Sequence, residues 1–247
     1  MTVFFGLLVG AIVGATLGLI GAGGAILAVP GLVAVLGLSA TAATTSSTII
    51  VGSAALVGVL RRRKTGTVDI KIGLTFSALG IVGTFIGTLL ARVIPENVTL
   101  ISLALLMFGA GYAMCCRENP EPKTERPKFL LVIIAATFVG ILTGLFGIGG
   151  GFLIVPALIL FLRVPTKIAI GTSLVAITAN SLFAFALRFE FWDQIPLIEV
   201  AVFTIAAIAA SFILSPIAGR LNANVLKRTF SAVIVVVAIY ILVTNIN

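Results

Sequence analysis

Long apolar runs alternate along this chain with very short polar connections. Runs with little or no charge fall at about 3–20, 25–38, 42–60, 70–91 and 98–116, and again at about 129–146, 151–162, 168–187, 195–219 and 225–245. Most reach the roughly 18 residues that a helix needs to cross a bilayer. Between the fifth and sixth runs lies one extended polar bridge, "CRENPEPKTERPK". The pattern predicts an all-α integral membrane protein, a polytopic helical bundle of about eight to ten transmembrane helices. It divides into a first transmembrane repeat over 1–116, a cytoplasmic linker over 117–128 and a second repeat over 129–247. Segments 2 and 7 are short. At 1.5 Å per residue they extend only about 18–21 Å, against a hydrocarbon layer of roughly 30 Å. They cross fully only if the glycine-rich breaks before them lie inside the membrane; otherwise they dip in and return.

The two halves are copies. Residues 18–31, "GLIGAGGAILAVPG", shifted by 126 land on residues 144–157, "GLFGIGGGFLIVPA", with eight of fourteen positions identical. Val13 and Gly14 map onto Val139 and Gly140, and Ser46 and Ser47 onto Thr172 and Ser173. With the offset grown to 128, Gly83, Gly87, Ala91 and Arg92 fall on Ser211, Ser215, Gly219 and Arg220. Because each half has an odd number of spans, ten crossings would make the halves inverted repeats of each other.

Composition agrees with the pattern. The chain is 60% hydrophobic and 10% charged, with a mean hydropathy of +1.27, where soluble domains carry about 25% charge. The net charge of +8 does not point to nucleic acid, because the basic residues sit in short loops. Such loops orient membrane helices. With the N-terminus outside and ten crossings, fourteen Lys/Arg fall on the cytoplasmic side and only Arg92 and Arg188 outside. Both termini then lie outside and the linker lies inside, in a plasma (inner) membrane. The start, "MTVFFGLLVG", has no basic n-region or small-residue cleavage site, and reads as a retained first span. Two adjacent cysteines and no histidine offer neither a disulfide framework nor a metal cluster.

Candidate chemistry concentrates at the repeated glycines. Gly6, Gly10, Gly14 and Gly18 form a small-xxx-small stripe suited to close helix packing. Gly21, Gly23 and Gly24, with Gly147, Gly149, Gly150 and Gly151, are too dense for packing alone. Short Gly/Pro-interrupted segments at matching places in two inverted halves point to a transporter's binding site. The breaks are expected near the midplane, where new helix starts would present amide N–H groups to an anion. Pro30 and Pro156 follow each break as candidate gating positions. Ser46, Ser47, Thr172, Ser173 and Asn180 are candidate substrate ligands, since hydroxyls and amides donate to oxyanions without the desolvation cost of a charge. Lys167 stands where it would attract anions to the cytoplasmic mouth. Residues 61–64, "RRRK", read as a cytoplasmic stop signal. No carboxylate falls at the centre of a segment, which argues against a cation path, and nothing points to an enzyme.

The doubled "GxxGxGG…VP", followed by "A-x-x-x-S" at residues 43–47 and "A-x-G-T-S" at residues 169–173, resembles the TauE/SafE family of sulfite exporters. That family is also described as sulfur-related anion permeases. The likeness spans essentially the whole chain, including "LARVIP" and "IAGRLNANVLKR". It implies secondary transport of small sulfur-containing anions such as sulfite, thiosulfate or sulfonates, without a cofactor and driven by an ion gradient, protons in the first instance. The expectation is therefore an exporter that rocks its two halves around one midplane site. The alternatives are a passive anion channel or a non-transporting assembly subunit. Expected partners are a small anion, the bilayer and, as an open alternative, further copies of the chain.

Overall fold

The computed structural model describes residues 2–21, 23–91, 93–116, 129–146 and 151–246. Among these are ten α-helices: α1 (Thr2–Ile20), α2 (Gly23–Leu36), α3 (Ala40–Arg63), α4 (Ile70–Ala91), α5 (Glu96–Cys116), α6 (Phe129–Phe146), α7 (Gly151–Leu160), α8 (Thr166–Leu187), α9 (Leu197–Arg220) and α10 (Ala223–Ile246). A short 3-10 turn, Phe189–Gln194, joins α8 to α9. Among the described residues five helices, α3, α4, α6, α8 and α9, are long and apolar enough to cross a membrane. Large apolar side chains such as Phe85, Leu182, Ile198 and Ile205 cover the outside, where hydrocarbon replaces water as the neighbour. The predicted linker at 117–128 lies outside the described residues.

The small-residue stripe decides the tightest contacts. A Cβ at Gly10 would lie 2.5 Å from the Phe203 carbonyl oxygen, one at Gly14 would overlap Ala207, and one at Gly18 would sit 3.2 Å from Ser211. α1 therefore runs parallel to α9, backbone against backbone, as small residues allow in a bilayer. An equivalent stripe joins α4 to α6: Gly83 and Gly87 meet Thr137 and Ile141, and Gly140 and Gly144 meet Gly80 and Thr84. Both pairs unite helices from different halves of the sequence.

Two groups result. One holds α1, α2, α3 and α9; the other holds α4, α6, α7 and α8. Each therefore contains three consecutive helices of one half and the fourth helix of the other. α3 and α8 cross antiparallel between the groups, with Gly52 against Ser181 and Gly58 against Leu174. α5 and α10 pair with each other, and Ser231 donates to the Gly111 carbonyl across them at 2.9 Å.

The helix ends sort by charge. Arg61, Arg62, Arg63, Lys64, Lys71, Arg163, Lys167, Arg220, Lys227 and Arg228 all lie at or near helix ends on one side of the bundle, called the basic end here. Arg188 lies at the far end of α8.

Candidate functional site

The first break is a reversal of the chain. Gly21 adopts φ +81°, a conformation that glycine reaches without a Cβ penalty, and α2 then runs back along α1. Gly24 faces Val13 and Leu17, and Gly31 faces Val9. Gly24 thus serves helix–helix approach: a Cβ there would lie 2.5 Å from the Val13 carbonyl oxygen. Gly23 opens α2, and Pro30 lies inside it on an exposed face. The turn stops short of the basic end. Gly21 lies against Ile170 and Ser173, four and seven residues into α8, or about 6–10 Å from its start. α8 has 22 residues, so its middle lies about 16 Å from its start, and the turn sits roughly midway between the basic end and that middle. The second break cannot be compared, because Gly147, Gly149 and Gly150 lie outside the described residues. Gly151 begins α7 and is buried, as is Pro156 within that helix.

Carbonyls at the end of α1 collect donors. Arg62 Nη2 donates to the Gly18 carbonyl at 2.7 Å and lies 3.4 Å from that of Leu19. The Ser173 hydroxyl lies 3.1 Å from the Gly21 carbonyl and 2.8 Å from that of Ile170. A helix C-terminus leaves its last carbonyls unpaired and carries partial negative charge, so a guanidinium and a hydroxyl suit it. At this break the N–H groups that begin α2 are the expected donors; in the structure Arg62 and Ser173, the latter itself a candidate ligand, donate to carbonyls on the other side of the turn.

Among the described residues Arg62 is the largest fully buried side chain, at 0% exposure, and its Nε and Nη1 have no hydrogen-bond partner. No described carboxylate pairs with it. Its neighbours in the basic run behave differently. Arg61 stacks over the Phe212 ring at 4.1 Å, and Arg63 and Lys64 are exposed. The run therefore holds more than a stop signal. The clue in the sequence is helical phase, since Ala54, Gly58 and Arg62 are spaced by four and share a face. Across that face stand two buried hydroxyls of α9. Ser211 donates to the Ala54 carbonyl at 2.8 Å and lies 3.5 Å from Ser215 Oγ.

The predicted ligands of α3 and α8 fall into three separate places. Ser46 and Ser47 are buried near the start of α3. Ser47 bonds back to the Thr44 carbonyl at 2.7 Å, whereas Ser46 Oγ has no partner. Thr172 and Ser173 are near the opposite end of the crossing, with Thr172 Oγ1 accepting from the Asp69 backbone N–H at 3.1 Å. From the antiparallel pairing, the two hydroxyl pairs are about 20 Å apart along the helices, too far for one small anion to touch both. Asn180 lies between them. Its Oδ1 accepts from the Ser77 hydroxyl, which leaves both amide N–H donors unused by that bond. Asn180 lines a cavity of about 10 Å³ with Gly80, Thr84, Gly140, Thr143 and Ile154, enough for one water. Lys167 is half-buried as the second residue of α8, at the basic end. A larger crevice of about 300 Å³ between α5, α6 and α7 includes Pro156, Leu153 and Phe138. Its apolar lining suits hydrocarbon, not an anion.

Known proteins resemble this chain along most of its length. The model of the family "Sulfite exporter TauE/SafE" matches residues 6–241. A protein of Xylella fastidiosa (strain Temecula1) named as a probable membrane transporter is 34% identical over 241 residues, covering 94% of this chain and 92% of its own length. The probable membrane transporter YunE of Bacillus subtilis is 31% identical over 199 residues, covering 70% of this chain and 73% of its own. With its apolar helices and lipid-suited exterior, the chain belongs to the TauE/SafE sulfite exporter family and is a multi-pass membrane transporter.

Proposed function

We propose that the chain is a secondary active carrier of small sulfur-containing oxyanions, such as sulfite, thiosulfate or sulfonates, and that it moves them outward by alternating access. One observation carries the anion assignment: the buried Arg62 guanidinium, with no carboxylate beside it among the described residues. A charged group within a membrane bundle is a functional-site candidate by default, and an oxyanion is the guest that would balance this one. Asn180, at the small cavity, offers its amide N–H groups as neutral donors further along the path, with its Oδ1 held by the Ser77 hydroxyl. The basic end faces the cytoplasm in this reading and gathers anions there before transport. An ion gradient, protons first, is the energy source.

The units that move are not the two sequence halves. α1 is locked onto α9 and α4 onto α6 by glycine contacts too close to slide freely. The natural sliding surface is instead the α3–α8 crossing between the two mixed groups. Exchange of the fourth helix between halves is what an inverted duplication would produce, and it supports that reading of the repeat.

Counterflow tests the proposal. Proteoliposomes preloaded with labelled sulfite should lose it faster when unlabelled sulfite is added outside, and Asn180→Leu should slow that exchange by about tenfold or more, as expected for loss of a buried donor. Efflux without acceleration would mean a passive channel. No flux from the purified chain would mean a non-transporting subunit.

A further inference from the structure

The offset that relates the halves also relates two arginines. α3 begins at Ala40 and α8 at Thr166, 126 residues apart, so Arg62 and Arg188 occupy equivalent positions at the ends of these helices. The helices are antiparallel, so the two guanidiniums belong to opposite ends of the bundle. Their surroundings differ. Arg62 is fully buried and seated on the Gly18 and Leu19 carbonyls that end α1. The equivalent seat for Arg188 is the pair of carbonyls at Gly144 and Leu145, near the end of α6. Arg188 is half-buried and its guanidinium makes no hydrogen bond to a described residue; only its backbone N–H is engaged, on the Phe185 carbonyl at 3.2 Å.

We infer that Arg62 and Arg188 are a matched pair of oxyanion-binding arginines, one at each mouth of the carrier, with Arg62 in its closed position and Arg188 in its open one. This deepens the transport reading and rests on it. Arg62 keeps Nε and Nη1 unpartnered in a dry setting, which is expensive unless something else is sometimes there. A cap for α1 needs one donor, and a guanidinium carries five. Gly58, one turn before Arg62 on the same face, lets α3 approach α9 closely, since a Cβ there would lie 3.3 Å from the Ser211 and Ser215 hydroxyl oxygens and 2.9 Å from Leu174 Cδ1. An oxyanion entering at this end would take the guanidinium and those hydroxyls together, and Arg62 would leave the Gly18 carbonyl to do so. The α1–α2 turn would then be held across the α3–α8 interface by Ser173 alone. At the other end the same exchange would run between an oxyanion and the α6 carbonyls.

The test is a sided one. Purified protein is reconstituted in liposomes, and an impermeant maleimide on the exposed Cys115 and Cys116, at the basic-end terminus of α5, reports which face points outward. Arg62→Gln should raise the KM for sulfite presented to the basic end by about tenfold or more, the loss expected for one charge-assisted contact, and leave the KM at the other face within about twofold. Arg188→Gln should do the reverse. Arg62→Lys keeps a charge and one donor for the α1 cap; it should fold normally and still show the raised KM. Unchanged KM in both glutamine variants, or the same change at both faces, overturns the pairing while wild-type counterflow leaves the carrier reading standing. An Arg62 effect that appears only in vesicles containing anionic lipid assigns the guanidinium to a headgroup and also overturns it. Should the wild type show no counterflow, the carrier reading fails separately. The pair is then judged by the melting shift that sulfite gives over chloride in detergent: retention of the full shift in both glutamine variants rules it out, and its reduction in each upholds oxyanion binding.

Discussion

At the scale of single residues, the hydroxyls of α3 and α8 have unequal duties. Ser47 and Thr178 bond back to carbonyls of their own helices at 2.7 and 2.8 Å, the usual habit of such residues in membrane helices. Ser173 bonds back to the Ile170 carbonyl at 2.8 Å and also reaches the Gly21 carbonyl at 3.1 Å, a contact that joins the two packing groups at the α1–α2 turn. Ser173→Ala removes one neutral hydrogen bond, worth about 1 kcal/mol, and so shifts the balance toward the state open at the basic end by roughly fivefold. The expected result is faster maleimide labelling of a cysteine placed at Thr67 in a Cys115→Ser, Cys116→Ser background; unchanged labelling would show that this bond does not gate. The sequence displayed Ser173 and Asn180 as candidates because their polarity stands out in apolar runs. It concealed Arg62, whose three basic neighbours disguise the one side chain that helical phase turns inward.

At the scale of helices, ten apolar runs became ten helices, with boundaries within a few residues of those the hydropathy pattern set. The packing role of Gly6, Gly10, Gly14 and Gly18 was equally legible, because a four-residue repeat of small side chains admits few other uses. Their partner was not legible. Nothing local in α1 says that it meets α9 and not a neighbour in sequence, since lipid-facing and helix-facing surfaces are alike in hydrophobicity. Gly14→Leu and Gly87→Leu each force a side chain into a facing backbone and should lower the yield of folded protein several-fold, as overpacking costs about 1–3 kcal/mol or more. Gly109→Leu is the control, because nothing lies within 4 Å of a Cβ there. Fluorescence-detected size exclusion of tagged variants measures the difference.

At the scale of the whole molecule, basic residues gather at one end, as the loop count of the sequence required. In the orientation proposed, Cys115 and Cys116 face the cytoplasm. An impermeant maleimide should therefore leave them unlabelled in intact spheroplasts and label them after permeabilisation. Labelling before permeabilisation would invert the orientation and the direction from which anions are drawn. What the sequence did not show was how the two copies pack together. A duplicated sequence invites a picture of two bodies, one per copy, but the glycine faces bind each copy's first helix to the other copy's fourth.

That exchange also governs how the chain can be made. α1 leaves the ribosome well before the helix its glycine face fits, α9. Until α9 arrives, that face has only lipid or a provisional neighbour against it. The first copy is consequently not a finished unit when the second begins: the α4–α6 contact can form early, and the α1–α9 contact must wait.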